Sequence, residues 1–224
     1  MSFTRQRTYA TTGRTLSRDE SRTVFGQVMG LVAVTVGCTA LGAYIGRNLT
    51  GAITFVFIIA AFGGLMGVQA AAARGREQLA IGLLFVVGLL LGMFVGPLLA
   101  YYAKTDPAPL WQAAGATALF TAGLGAYGYA TRRDLSGWAR PLVWALLALI
   151  VFGLIALFVA IPGANIIYAV LGLVIFGGFT IFDFNRLRRR SNMASAPVIA
   201  SSIFLDVFNV FLLFLRLFGG GGRT

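Results

Sequence analysis

Histidine is absent from this chain, which removes a Ser–His–Asp triad, a Cys–His dyad and every zinc site that needs imidazole. The side chain that ordinarily titrates near neutrality goes with it, so any response to pH has to come from carboxylates. Cysteine occurs once, as Cys38 inside an apolar run, and an intrachain disulfide is therefore excluded. Charge is scarce: 11% of residues are charged, where soluble domains carry about 25%. Acidic residues are the scarcest, seven against eighteen basic ones.

Apolar sequence fills the space. Hydrophobic residues make up 58% of the chain, in long runs that each approach the length needed to cross a hydrocarbon core of roughly 30 Å. Seven segments are predicted: Val24–Ile45, Ala52–Ala73, Gln78–Tyr102, Leu110–Ala130, Pro141–Ile161, Asn165–Asn185 and Pro197–Phe218. The expected organisation is a polar cytoplasmic tail over residues 1–23, a seven-helix transmembrane domain over 24–218 and a short tail over 219–224. No A-x-A cleavage site follows the first run, so it reads as a true span rather than a signal peptide.

Basic residues sort by side. The tail and the connections after the second, fourth and sixth segments hold fourteen arginines, and the opposite side holds four basic residues. The positive-inside rule then puts the N-terminus in the cytoplasm and the C-terminus outside. These charges are scattered between spans, where orientation and anionic lipid account for them. No basic-aromatic module for nucleic acid is present, and the lipid bilayer is the expected partner.

Gly88, Gly92 and Gly96 form a G-x-x-x-G-x-x-x-G ridge on the third segment, and Gly26 and Gly30 a shorter pair on the first. Such ridges let helix backbones approach closely, here within one bundle. Pro97 marks a helix kink and Pro162 a helix-ending turn.

Two aspartates stand apart from the other acidic residues, which lie in the tail or in short loops. Asp183 sits in IFDFNRLRRR (Ile181–Arg190) and Asp206 in SSIFLDVFNVFLLFLRLFGGGG (Ser201–Gly222), sequence otherwise built for lipid. A carboxylate there is costly and needs a reason. Ser202, Asp206, Asn209, Leu213 and Arg216 follow at spacings of 4, 3, 4 and 3, a polar stripe on one helical face. A helix with such a stripe faces protein or water, so the last helix is expected at the centre of the bundle, with Ser202, Asn209 and Arg216 along a polar path. Arg216 also reaches outward as an anchor.

Asp206 lies about ten residues into its span, roughly 15 Å deep. Asp183 lies near the arginine-rich boundary, and deeper if its helix continues through Arg190. Side by side, two such carboxylates cannot easily both ionise. Sharing a proton closes the path; losing it drives the groups apart. Ionised, they offer oxygen ligands to Ca²⁺ or another cation. A plainer alternative pairs Asp183 with Arg186 three residues on and leaves Asp206 bonded to its polar neighbours. Arg74, ending the second span on the same side, is either a membrane anchor or a counter-charge to Asp183. A membrane aspartyl protease would also pair carboxylates across helices, but no G-x-G-D-like element surrounds either residue, so no catalytic role is expected.

Several stretches resemble the Bax inhibitor-1 family. FDFNRL (Phe182–Leu187) and SIFLDVFNVFLLFLRLFG (Ser202–Gly219) are similar to its closing D-x-x-N pattern, ATALFTAGLGAYGYATRRDLS (Ala116–Ser136) to its fourth span and following loop, and GMFVGPLLAYY (Gly92–Tyr102) to the end of its third. The match runs from about Arg22 to Gly219. It implies a seven-helix bundle with the last helix ringed by the other six, and a pH-sensitive calcium leak in which Asp183 and Asp206 are sensor and gate. It also implies Arg74 as the counter-charge of the closed form. The second span ends ARGREQ (Ala73–Gln78), a departure from the family's longer basic run. Other relatives modulate a membrane protease, which makes a non-transporting regulator the alternative. The short loops suit a prokaryotic plasma membrane, and the cell-death role of eukaryotic relatives is not carried over.

Overall fold

The structure is a computed structural model that describes residues 18–159, 161–189 and 196–220. The described residues form seven α-helices: α1 (Arg18–Gly46), α2 (Ile53–Ala73), α3 (Glu77–Thr105), α4 (Ala108–Ala130), α5 (Ala139–Phe158), α6 (Ala164–Arg189) and α7 (Ala196–Gly219), with one 3₁₀ turn at Ser136–Trp138. Helices suit lipid because every backbone N–H and C=O between their ends is bonded internally. Six are long and apolar enough to cross a membrane. The other, α4, has 23 residues but carries Gln112, Thr117, Thr121 and four scattered glycines that lower its hydropathy.

Helix ends depart from the sequence expectation where polar residues leave the hydrocarbon. The chain is helical from Arg18, inside the expected tail. Residues 1–17, Arg190 and the four residues 221–224, all assigned to tails or to the arginine tally above, lie outside the described residues. Helix α3 runs through Pro97 without a break. Pro162 stands in the α5–α6 turn beside Gly163, whose φ is 72°. Gly75 ends α2 in the left-handed conformation at φ 70°; its N–H donates to Ala72 O and that of Arg76 to Ala71 O. This Schellman closure satisfies carbonyls that would otherwise be orphaned.

The glycine ridge of α3 meshes with α1 inside this chain. A Cβ on Gly92 would overlap Thr39 O and stand 2.9 Å from Ala43 N; one on Gly96 would stand 2.7 Å from Ala43 O. From the other side, a Cβ on Gly46 would stand 2.6 Å from Met93 Cα. The two helices run parallel in backbone contact. Gly26 and Gly30, the pair expected to play this part on α1, have nothing within 4 Å. Gly42 and Gly46 play it instead, since they alone lie where α1 closes on α3.

Helix α7 meets α1, α2, α3, α4 and α6, while α5 packs chiefly on α6. Ile199, Ala200 and Ile203 of α7 join Val28, Val68, Leu84 and Leu187 in one apolar cluster. Further along, Phe204 packs with Ala61, Val87 and Leu91, and Val210 and Leu213 with Phe176. Half of α7's most apolar stretch is buried against 6% for α5, so α7 faces protein and α5 faces outward.

Candidate functional site: a buried carboxylate pair

Helices α6 and α7 run antiparallel, and the register that sets Gly172 against Leu213 also brings Asp183 to Asp206. The two carboxyl groups lie within hydrogen-bonding reach of each other. Asp183 is 4% exposed and Asp206 5%. Because α6 continues to Arg189, Asp183 stands six residues inside its helix end rather than at the boundary. Asp206 Oδ2 is buried with no hydrogen-bond donor. One proton shared between the carboxyls would supply that donor.

The cation near Asp183 is Arg186, with Nη1 3.9 Å from Oδ1, the i,i+3 neighbour of the plainer reading. Arg74, expected as the counter-charge, caps α2 as an exposed residue and forms no ion pair among the described residues. Around the pair, the polar stripe is turned onto helix backbone. Ser202 Oγ donates to Val198 O and Asn209 Nδ2 to Leu205 O. Arg216 Nη2 donates to Asn165 Oδ1 and its guanidinium lies 4.6 Å over the Tyr168 ring. Ser202, Asn209 and Arg216 thus spend their polar groups on backbone carbonyls and on Asn165; each polar group in low dielectric takes the nearest partner.

Asn185 was not singled out from sequence, and it is the next buried polar residue of α6. Two positions from Asp183, it reaches the end of α4, and its Nδ2 is shared among Gly128 O, Thr131 O and Arg133 O. Arg188 donates to Ala130 O and Thr131 O, and Arg189 to Arg132 O. Thus α6 caps the last carbonyls of α4 and clamps the α4–α5 connection. In that connection Asp134 accepts from Ser136 N–H, which holds its carboxyl below the usual range, with Arg189 adding to the effect at 3.5 Å. A lone asparagine between Phe184 and Leu187 was the available signal, since an amide in apolar helix has to find partners. Asn185→Ala is expected to cost about 1–3 kcal/mol, the penalty for carbonyls left without donors. Thermal unfolding in detergent measures it, and an unchanged Tm would remove the clamp from the account.

A cavity of about 860 Å³ lies on a different face of α7 from the stripe. Phe204, Val207, Phe208 and Phe211 form its floor, and α1 and α4 its sides. Phe184 also reaches it, so the residues that follow both aspartates in sequence face this space.

These features define a polytopic all-helical membrane protein with a paired carboxylate held between two of its helices. The profile of the family described as "Inhibitor of apoptosis-promoting Bax1" matches residues 21–223, and the chain belongs to that Bax inhibitor-1 family. It is 29% identical to an uncharacterized membrane protein of Vibrio cholerae over 89% of this chain and 90% of that one. It is 28% identical to an uncharacterized protein of Chlamydia muridarum over 91% of this chain and 92% of the relative. A Helicobacter pylori protein, also uncharacterized, is 30% identical over 75% of this chain and 70% of its own length.

Proposed function

We propose that this protein is a proton-sensitive leak pathway for cations, Ca²⁺ foremost, gated by Asp183 and Asp206. The observation that carries the reading is the meeting of two buried carboxyls from α6 and α7, one oxygen of which has no donor. With a proton between them the helices stay together. Once it leaves, two negative charges face each other in low dielectric and push α6 and α7 apart. The freed oxygens then favour a cation. Two carboxylates fall short of the about six to eight oxygens Ca²⁺ takes, so an ion here keeps much of its water and passes on.

In this proposal the chain crosses the membrane seven times around α7, α4 included, because α4 lies along both α6 and α7. The arginine-rich end faces the cytoplasm of a prokaryotic cell and the C-terminus faces outward. The test is purified protein in liposomes loaded with a calcium dye. Calcium entry is expected to rise with pH. Absence of flux at every pH, with a membrane protease co-purifying, would replace the leak with a non-transporting regulator.

A further inference from the structure

We propose that the cavity between α1, α4 and α7 is a binding slot for one acyl chain of an anionic phospholipid, a site separate from the carboxylate pair. Helices α1 and α4 each pack on α3, α6 and α7, but not substantially on one another. The gap they leave is long. It extends along α1 from Phe25 to Ala40 and along α4 from Ala114 to Tyr129. Fifteen residues of helix span about 22 Å, more than the roughly 15 Å of one leaflet's hydrocarbon.

The slot's chemistry suits a hydrocarbon chain and little else. Its α4 side is a line of alanines four residues apart, Ala114, Ala118, Ala122 and Ala126, all exposed at its mouth. Small side chains there leave the width, and α7 contributes an aromatic floor. The threonines on the walls offer little to water. Thr39 and Thr117 donate their hydroxyls to carbonyls of their own helices, and Thr121 Oγ1 is buried without a partner. An occupant at this depth is therefore apolar.

Charge selects the headgroup. Tyr129, edge to face with Phe25, lines the slot at its arginine-rich end, and exposed Arg132 and Arg133 follow within four residues. The acidic residue of that connection, Asp134, is engaged by Arg189 and Ser136 N–H. Basic residues at the mouth of an interhelical gap are the arrangement that holds a lipid phosphate.

Photo-crosslinking tests the slot. Protein in nanodiscs receives trace phosphatidylglycerol with a diazirine midway along one acyl chain, and labelled peptides are mapped by mass spectrometry. Label is expected on Phe208 and Phe211 of the floor as well as on outward residues such as Leu119 and Trp144. Filling the slot with Ala118→Phe and Ala122→Phe is expected to cut floor label about tenfold, a change of about 1.4 kcal/mol in affinity, and to leave the outward label unchanged. If that variant fails to fold, excess unlabelled phosphatidylglycerol on the wild type serves instead, and floor label is expected to saturate before outward label. An unlabelled floor, or a floor label that neither treatment lowers, overturns the proposal. Equal floor labelling by the phosphatidylcholine analogue overturns the anionic assignment; loss of a phosphatidylglycerol preference in Arg132→Gln/Arg133→Gln supports it.

Discussion

Liposomes carrying Asp206→Asn protein are expected to take up calcium at one slow rate across the pH range in which the wild type accelerates. The amide keeps the volume of the carboxyl and presents N–H donors to Asp183 at every pH, as the shared proton does only when bound. Asp206 Oδ2 has no other donor to turn to, so the substitution fixes the closed contact. At the alkaline end the variant should fall below wild type about tenfold or more, the shift a two-state gate shows for about 1.4 kcal/mol. Asp183→Asn is expected to act alike, with a residual effect from the loss of its ion pair to Arg186. The double variant should add little, because both changes remove one shared titration. Persistence of the wild-type pH response in both single variants would end the gating scheme. Arg74→Ala is the companion measurement: a leak raised at acidic pH would restore Arg74 as counter-charge, and an unchanged leak leaves Arg186 in that place.

Gly92→Leu is expected to be the most damaging single change to the fold. Its Cβ alone would overlap Thr39 O and approach Ala43 N, both backbone atoms of α1. Overpacking against a side chain commonly costs about 1–3 kcal/mol because the neighbour can change rotamer. A backbone carbonyl inside a helix has no such escape, so about 3 kcal/mol or more is expected, enough to abolish a monodisperse peak in mild detergent. Gly30→Leu supplies the contrast, since nothing lies within 4 Å of its Cβ position and the expected change is within about 0.5 kcal/mol. Equal stability of the two variants would mean that α1 and α3 do not meet along the ridge.

Much of this was legible before any coordinates. Apolar runs located all seven helices because hydropathy is a local property, and the ends differ chiefly where polar turns extend past the hydrocarbon, as at Arg18 and Arg189. The two aspartates were legible by their cost. Their meeting was only conditional, since it depended on α6 continuing to Arg189 and on the α6–α7 register. Spacing alone suggested a polar path through Ser202, Asn209 and Arg216, and it could not reveal that their hydrogen bonds close on backbone and on Asn165. Gly26 and Gly30 have the ridge spacing without the neighbour. The slot was illegible for a different reason: it exists because α1 and α4 are held apart, and no residue on either helix records that separation.

The place of α7 has a consequence for biosynthesis. Five of the six helices made before it have their inward surfaces, Asp183 among them, facing a space that this segment fills. A nascent chain halted before Ala196 therefore leaves Asp183 with Arg186 alone, without the carboxyl of α7 that it meets in the finished fold. Assembly is completed in one late step, when the ribosome releases the segment that all but one of its predecessors await.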